Sequence, residues 1–298
     1  MKISTDNSAI RNVIGDVEAL KAIRAAGFDG VDYTFYDMLP ERDILALSDL
    51  EREKLAYTLR DTADKIGLEF SQCHAEMKYR YGQIEANEND PTYRRIIRCF
   101  EYAHRLGIPK MVIHTLRAPV GIDRAEIDRA SFEFMRSFIP YAEKYGVTIG
   151  VENLFARVPE TRRPVGRHHT AEWMNEFMDR LDSPCFEVCF DIGHATFCGK
   201  DPADFIRGMD AKRLTMLHVQ DTDLVDDRHW LPMLGMNDWD SITNALGSIG
   251  YDGNINLEVL HFYDKFPKDL LPDALRLAAI CARKLADMTE STKASRLK

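Results

Sequence analysis

Four short apolar runs in the second half of the chain each end on a residue that can ligate a metal. Val147-Thr-Ile-Gly-Val-Glu152, Phe186-Glu-Val-Cys-Phe-Asp191 and Asn254-Ile-Asn-Leu-Glu258 end on carboxylates, and Leu214-Thr-Met-Leu-His218 on an imidazole. Three carboxylates and one imidazole form an oxygen- and nitrogen-rich donor set, suited to Mn²⁺, Mg²⁺, Co²⁺ or Zn²⁺ rather than to a soft metal. One divalent ion per chain is expected, manganese first among these. Taken singly, a carboxylate at a strand end is as readily a helix N-cap or a surface charge. Four successive runs that all close on a ligand type do not fit that ordinary reading.

Each run has the length of a buried strand, and helix-like periodicity follows it. Strands are expected at 2–5, 30–34, 69–73, 110–114, 147–152, 186–191, 213–218 and 254–258. Helical segments such as Val17–Ala26, Arg94–Leu106 and Phe132–Tyr145 lie between them, closed by Gly27, Gly107 and Gly146, with a kink expected at Pro140. Repeated strand–helix cycles without a linker predict a single (β/α)₈ barrel over residues 1–288, with a short polar, frayed tail at 289–298. An open doubly wound sheet would carry a glycine-rich phosphate loop after the first strand, and Asp6-Asn-Ser-Ala-Ile is not one. Parallel barrel strands point their C-terminal ends at one mouth, so Glu152, Asp191, His218 and Glu258 should converge there. The long connections 75–91, 153–170 and 222–238 should frame the same mouth as loops.

Hydrophobic residues make up 45% of the 298 and charged residues 29%, the balance of a globular protein with a large core. A net charge of −9 weighs against nucleic acid as the main ligand. No apolar run is long enough to span a bilayer, and the start lacks a signal peptide's core, so a cytoplasmic location is expected. The six cysteines form no paired framework and read as reduced thiols.

Val151-Glu152-Asn153, Phe190-Asp191-Ile192-Gly193-His194, Leu217-His218-Val219-Gln220-Asp221 and Leu257-Glu258-Val259 resemble the sugar phosphate isomerase/epimerase superfamily of xylose isomerase-like barrels. The resemblance extends to Ala26-Gly27-Phe28-Asp29-Gly30-Val31-Asp32 and to Asp227-Arg228-His229-Trp230-Leu231-Pro232, and covers nearly the whole chain. Ketose 3-epimerases and inosose-processing enzymes are among the relatives implied; endonuclease IV is a more distant one. The resemblance implies that Glu152 and Glu258 are catalytic as well as metal ligands. It also implies that His74, His114, His194, Asp227, Arg228 and His229 contact the substrate. The same positions, Arg228 apart, match the ligand pattern of endonuclease IV, so Asp227 and His229 equally suit a second metal. Six basic residues after the fifth strand, Arg157, Arg162, Arg163, Arg167, His168 and His169, read as a lid or phosphate clamp or as a solvated loop. Met77, Tyr79 and Tyr81 are weak candidates for stacking on a sugar.

The expected activity is a metal-dependent sugar isomerase or epimerase, abstracting a proton next to a metal-chelated carbonyl through an enediolate. A lyase or dehydratase acting on a keto-sugar, inosose or glycoside is one alternative. A zinc phosphodiesterase on abasic DNA is the other. The expected partner is a small sugar or polyol, with no nucleic acid or membrane and with a homo-oligomer left open.

Overall fold

A glycine at the end of a helix lets the chain reverse and re-enter the sheet, and the fold repeats that step. The helix Pro91–Leu106 stops at Gly107, whose φ of 72° presents its N–H to the carbonyl of Ala103. A side chain there would be strained in the left-handed region. The strand that follows is apolar because helices cover its outer face. The computed structural model describes residues 1–36 and 38–296.

Ten strands are present among the described residues: β1 (Ile3–Asp6), β2 (Gly30–Thr34), β3 (Glu69–His74), β4 (Lys110–Ile113), β5 (Thr148–Glu152), β6 (Leu154–Arg157), β7 (Pro164–Arg167), β8 (Phe186–Asp191), β9 (Leu214–His218) and β10 (Ile255–Leu257). Eight of them form one parallel sheet in the order β10-β1-β2-β3-β4-β5-β8-β9. Its two ends meet where the Val219 N–H donates to the Asn256 carbonyl at 2.8 Å and the Glu258 N–H donates to the Val219 carbonyl at 3.1 Å. This is the expected (β/α)₈ barrel, and each expected strand lies within two residues of an observed one.

Strand periodicity sets which side chains face the lumen. Phe190, fully buried, stacks at 4.0 Å between ring centroids on Phe205 of the helix Pro202–Gly208. Its neighbours Cys189 and Asp191 take the opposite face, and Cys189 joins Val112 and Met216 in a small separate apolar cluster.

Three expectations are corrected. The connection after β5 is not a plain loop: β6 and β7 pair antiparallel as a hairpin, Leu154 opposite Arg167. Pro140 does not kink one helix. It stands in the first turn of Ile139–Tyr145, separated from Arg124–Arg136 by Ser137 and Phe138, where its missing N–H costs nothing. The residues expected as a frayed tail continue the helix Leu271–Arg296. Thr289 is fully buried, and Lys293 Nζ donates to the Tyr251 carbonyl at 3.0 Å; residues 297–298 lie outside the described ones. All six cysteines are free thiols, four of them buried. No helix among the described residues is long and apolar enough to cross a membrane.

Candidate metal centre

The mouth of the barrel collects the chemistry-bearing residues. His74 ends β3, His114 follows β4, Glu152 ends β5, Asp191 ends β8, His218 ends β9, and Glu258 follows β10. One ligand atom from each of Glu152, Asp191, His218 and Glu258 lies within 4.8 Å of the others, and all four residues are buried. The convergence that strand polarity predicts is present.

Glu152 is the hub. Its Oε1 is 2.8 Å from His218 Nδ1 and 3.8 Å from His194 Nδ1; its Oε2 is 2.7 Å from His114 Nε2 and 3.7 Å from His74 Nε2. Glu258 Oε2 lies 3.4 Å from His218 Nδ1 and 3.5 Å from His229 Nδ1. Asp227 Oδ2 lies 3.4 Å from His194 Nε2 and 3.2 Å from His229 Nε2. Three donor groups result: His74–His114–Glu152 and Glu152–Asp191–His218–Glu258, which share Glu152, and His194–Asp227–His229.

Charge and tautomer fit this cluster to cations. Burial raises the pKa of Glu152, but His218 and His114 outweigh it and hold the carboxyl well below its ordinary range. Burial pushes Asp191 up to about 7 against the pull of His194. Burial opposes charge on His194 and His229, yet the carboxylates around them, Asp191 and Asp227 for His194 and Asp227 and Glu258 for His229, push His194 up to about 10 and His229 well above its ordinary value. Without a cation, buried carboxylates are balanced by imidazolium, and a divalent ion can replace those protons. Three histidines are already oriented for it. Nδ1 of His74, His194 and His229 lies 2.9 Å from the carbonyl oxygen of Ala75, Asn153 and Glu258 respectively. A carbonyl only accepts, so Nδ1 carries the hydrogen and each Nε2 is left facing the pocket.

A further layer of residues fixes these ligands, and sequence periodicity alone did not mark it. Asp32, in the middle of β2, places Oδ2 3.4 Å from His218 Nε2. The same oxygen accepts from Gln72 Nε2 and Asn256 Nδ2, each at 2.8 Å. Gln220 Nε2 donates to Asp227 Oδ1 at 3.0 Å and Asp191 Oδ2 at 3.2 Å, while its Oε1 accepts the His229 N–H at 2.9 Å. Asn153 Oδ1 accepts the Asp191 N–H at 2.7 Å. The Tyr36 hydroxyl donates to Glu258 Oε1 at 2.9 Å, and burial holds its pKa well above the ordinary value. A charged or amide residue inside an apolar strand, such as Asp32 between Val31 and Tyr33, was the available signal.

The connection after β9 is folded around Asp221. That buried carboxylate accepts from Trp239 Nε1 at 3.0 Å and from the N–H groups of Met233 at 2.9 Å and Asn237 at 3.1 Å. His229 is held with φ of 45°, a left-handed conformation that costs a non-glycine residue energy.

Above the cluster lies a pocket of about 210 Å³ lined by Tyr36, Met77, Arg117, Phe155, Leu260 and His261, with seven of the candidate residues as its floor. Arg228 is not among them. Its Nε donates to Asp223 at 2.8 Å and its guanidinium covers Trp230, which holds it away from the pocket lining. Of the three expected stacking residues Met77 alone lines the pocket; the Tyr79 hydroxyl donates to the His114 carbonyl at 2.7 Å. Two of the six basic residues after β5 are taken up by carboxylates outside the pocket. Arg157 pairs with Asp226, whereas His168 lies 3.4 Å from Asp128 beneath the hairpin.

Comparison with known proteins agrees with this fold. The chain is 31% identical over 156 residues to an uncharacterised protein of Methanocaldococcus jannaschii and 27% identical over 184 residues to an inosose isomerase of Bacillus velezensis. These matches span 51% and 62% of the relatives' own lengths. Among solved structures, a D-tagatose 3-epimerase-like protein superposes with a TM-score of 0.71 at 20% identity, over 100% of both chains. The IOLI protein with a bound zinc atom gives 0.68 at 20% identity, over 98% of this chain and 99% of that one. The sequence profile of the xylose isomerase-like TIM barrel matches residues 20–280, and the chain belongs to that family.

Proposed function

We propose that the protein is a divalent-metal-dependent sugar isomerase or epimerase. The observation that carries this reading is the pair Glu152 and Glu258, which enter one small pocket from separated strands of the barrel beside a common donor set. Glu152, Asp191, His218 and Glu258 would hold the ion, which supplies Lewis acidity to a substrate carbonyl and its adjacent hydroxyl. Glu152 and Glu258 then act on the carbon next to that carbonyl: one carboxylate takes its proton, and the other returns one from the opposite side. Tyr36, donating to Glu258 Oε1, fixes the rotamer of that carboxylate. The buried floor keeps bulk water from protonating the carbanionic carbon. Return of the proton to the neighbouring carbon gives aldose–ketose isomerisation instead, and loss of a β-substituent gives elimination. Similarity to an inosose isomerase and to 3-epimerase-like structures supports the isomerase class.

The test is hydrogen exchange in deuterated water across a panel of ketoses and inososes. The metal-loaded protein should wash deuterium into a carbon-bound position of at least one compound. Glu152→Gln and Glu258→Gln, folded and metallated, should each reduce that exchange by about 10²–10⁴. Full exchange in both variants rejects the two-carboxylate scheme.

A second reading, a zinc phosphodiesterase on abasic DNA, is favoured by one observation: the three donor groups could hold three ions. The net charge of −9 and the narrow pocket count against a duplex ligand. Three zinc ions per chain with nicking of an abasic duplex would select it; one ion with ketose exchange selects the isomerase.

A further inference from the structure

The pocket floor is acidic, yet one wall carries a cation without a counter-ion. Arg117 lines the pocket beside Met77 and His114. Its Nε is buried and has no hydrogen-bond partner. No ion pair, hydrogen bond or ring contact is made by its guanidinium among the described residues. Three other arginines near the mouth behave differently: Arg157 pairs with Asp226, Arg228 with Asp223, and Arg95 with both Glu76 and Asp43. The backbone of Arg117 is nevertheless held, because the Tyr81 N–H donates to its carbonyl at 2.9 Å and the next residue, Ala118, is buried.

An unpaired, half-buried guanidinium is costly to keep unless something negative arrives to meet it. We propose that Arg117 is a specificity-determining residue that binds a carboxylate carried by the substrate, so that the natural substrate is a sugar acid rather than a neutral sugar. The planar fork of one guanidinium matches one carboxylate in two parallel hydrogen bonds. A phosphate fits less well. It brings roughly −1.5 to −2 charges at pH 7, against one cation and beside the carboxylates Glu152, Asp227 and Glu258. The inference rests on the sugar-isomerase reading for what the bound acid undergoes, and on Arg117 alone for its recognition.

Binding of compounds without a carbonyl tests recognition apart from turnover. The metal-loaded protein is titrated calorimetrically with erythritol, arabitol and glucitol, with the corresponding aldonates, and with the corresponding terminal phosphates. At least one aldonate should bind roughly tenfold or more tightly than its neutral polyol, the scale of a charge-assisted hydrogen-bond pair. Arg117→Gln should abolish that ratio while leaving polyol affinity within about twofold, and Arg117→Lys should restore part of it. Equal affinity for aldonates and polyols, an aldonate preference that survives in Arg117→Gln, or no binding by any acid overturns the proposal. Tighter binding of the phosphates than of the aldonates overturns the choice of a carboxylate. Absence of ketose exchange together with an Arg117-dependent aldonate preference would sink the isomerase reading and leave this one standing.

Discussion

Asp32 offers a test of the metal centre that does not touch a ligand. It is 1% exposed, its Oδ2 is fastened by two amide donors, and it lies 3.4 Å from His218 Nε2. The opposite nitrogen, Nδ1, faces Glu152 and Glu258. A carboxylate behind an imidazole holds the hydrogen on the far nitrogen and makes the near one a better donor to a cation. Asp32→Asn keeps the shape and one carbonyl oxygen for the amide donors but removes the charge. Loss of such a partner weakens metal affinity by about 10- to 100-fold. For a chain of 298 residues the unfolding entropy is about 0.6 kcal/mol/K. Tenfold weaker binding, about 1.4 kcal/mol at saturating metal, therefore lowers the melting temperature of the loaded protein by about 2 °C.

The same charge also favours a proton on His218, which makes the loss depend on pH. Burial opposes charge on this imidazole, but Cys189, Glu258, Glu152 and the nearby Asp32 together hold its pKa well above the ordinary value. Proton and metal compete for one nitrogen. At a pH high enough to strip the proton, Asp32→Asn shows the full loss of metal affinity. At lower pH the variant also competes less with protons, so part of the loss cancels. Competition between a chromophoric chelator and the metal-stripped proteins for Co²⁺ or Zn²⁺, at two pH values about 1.5 units apart, reads both effects. Dissociation constants that match wild type at both pH values refute the role. A loss unchanged between the two refutes the proton competition.

Metal uptake should release protons and tighten as pH rises. Burial sets Asp191 to about 7 in the metal-free chain, so its share of the proton release falls away above that value; calorimetry in two buffers of different ionisation heat measures it, and zero release contradicts the cluster's charge state. Gly193→Ala should loosen the metal centre, because a Cβ there would lie 2.3 Å from Gln220 Cδ and push away the amide that ties Asp191 to Asp227; weaker metal binding is expected, and unchanged binding would remove Gln220 from the positioning layer. Asp128→Asn should destabilise the protein at pH 7 by about 1–3 kcal/mol in urea melts. Burial raises Asp128, but His168, Trp173 and Arg124 outweigh it and hold the group low. The anion's contribution is therefore complete above the unfolded value near 3.9 and is lost as pH falls through the lower folded one. The gap between variant and wild type should close in acid, and a constant gap would mean that charge is not involved.

What the sequence disclosed and what it hid divide along one physical line. Strand register is read from short apolar runs, and strand polarity then dictates where their last residues go. Glu152, Asp191, His218 and Glu258 were legible for that reason; Arg228, expected at the substrate from the resemblance, instead pairs with Asp223 of its own loop, a contact no pattern announces. Partners at large sequence separation were not legible. Asp32 meets His218 across 186 residues, Tyr36 meets Glu258 across 222, and neither pairing leaves a local pattern. The hairpin β6–β7 was hidden for a related reason: Leu154-Phe-Ala-Arg157 and Pro164-Val-Gly-Arg167 are too short for periodicity to register. The basic residues it carries read as one patch, yet Arg157 and Arg167 sit opposite Pro164 and Leu154 at the two ends of the ladder, and Arg157 is paired with Asp226. Arg117 closes the contrast. In the sequence it is one of several arginines near long loops, and only the pairing of Arg95, Arg157 and Arg228 in the folded chain sets it apart from them. A site's ligands follow from topology, whereas its specificity follows from which charges remain unmatched after folding.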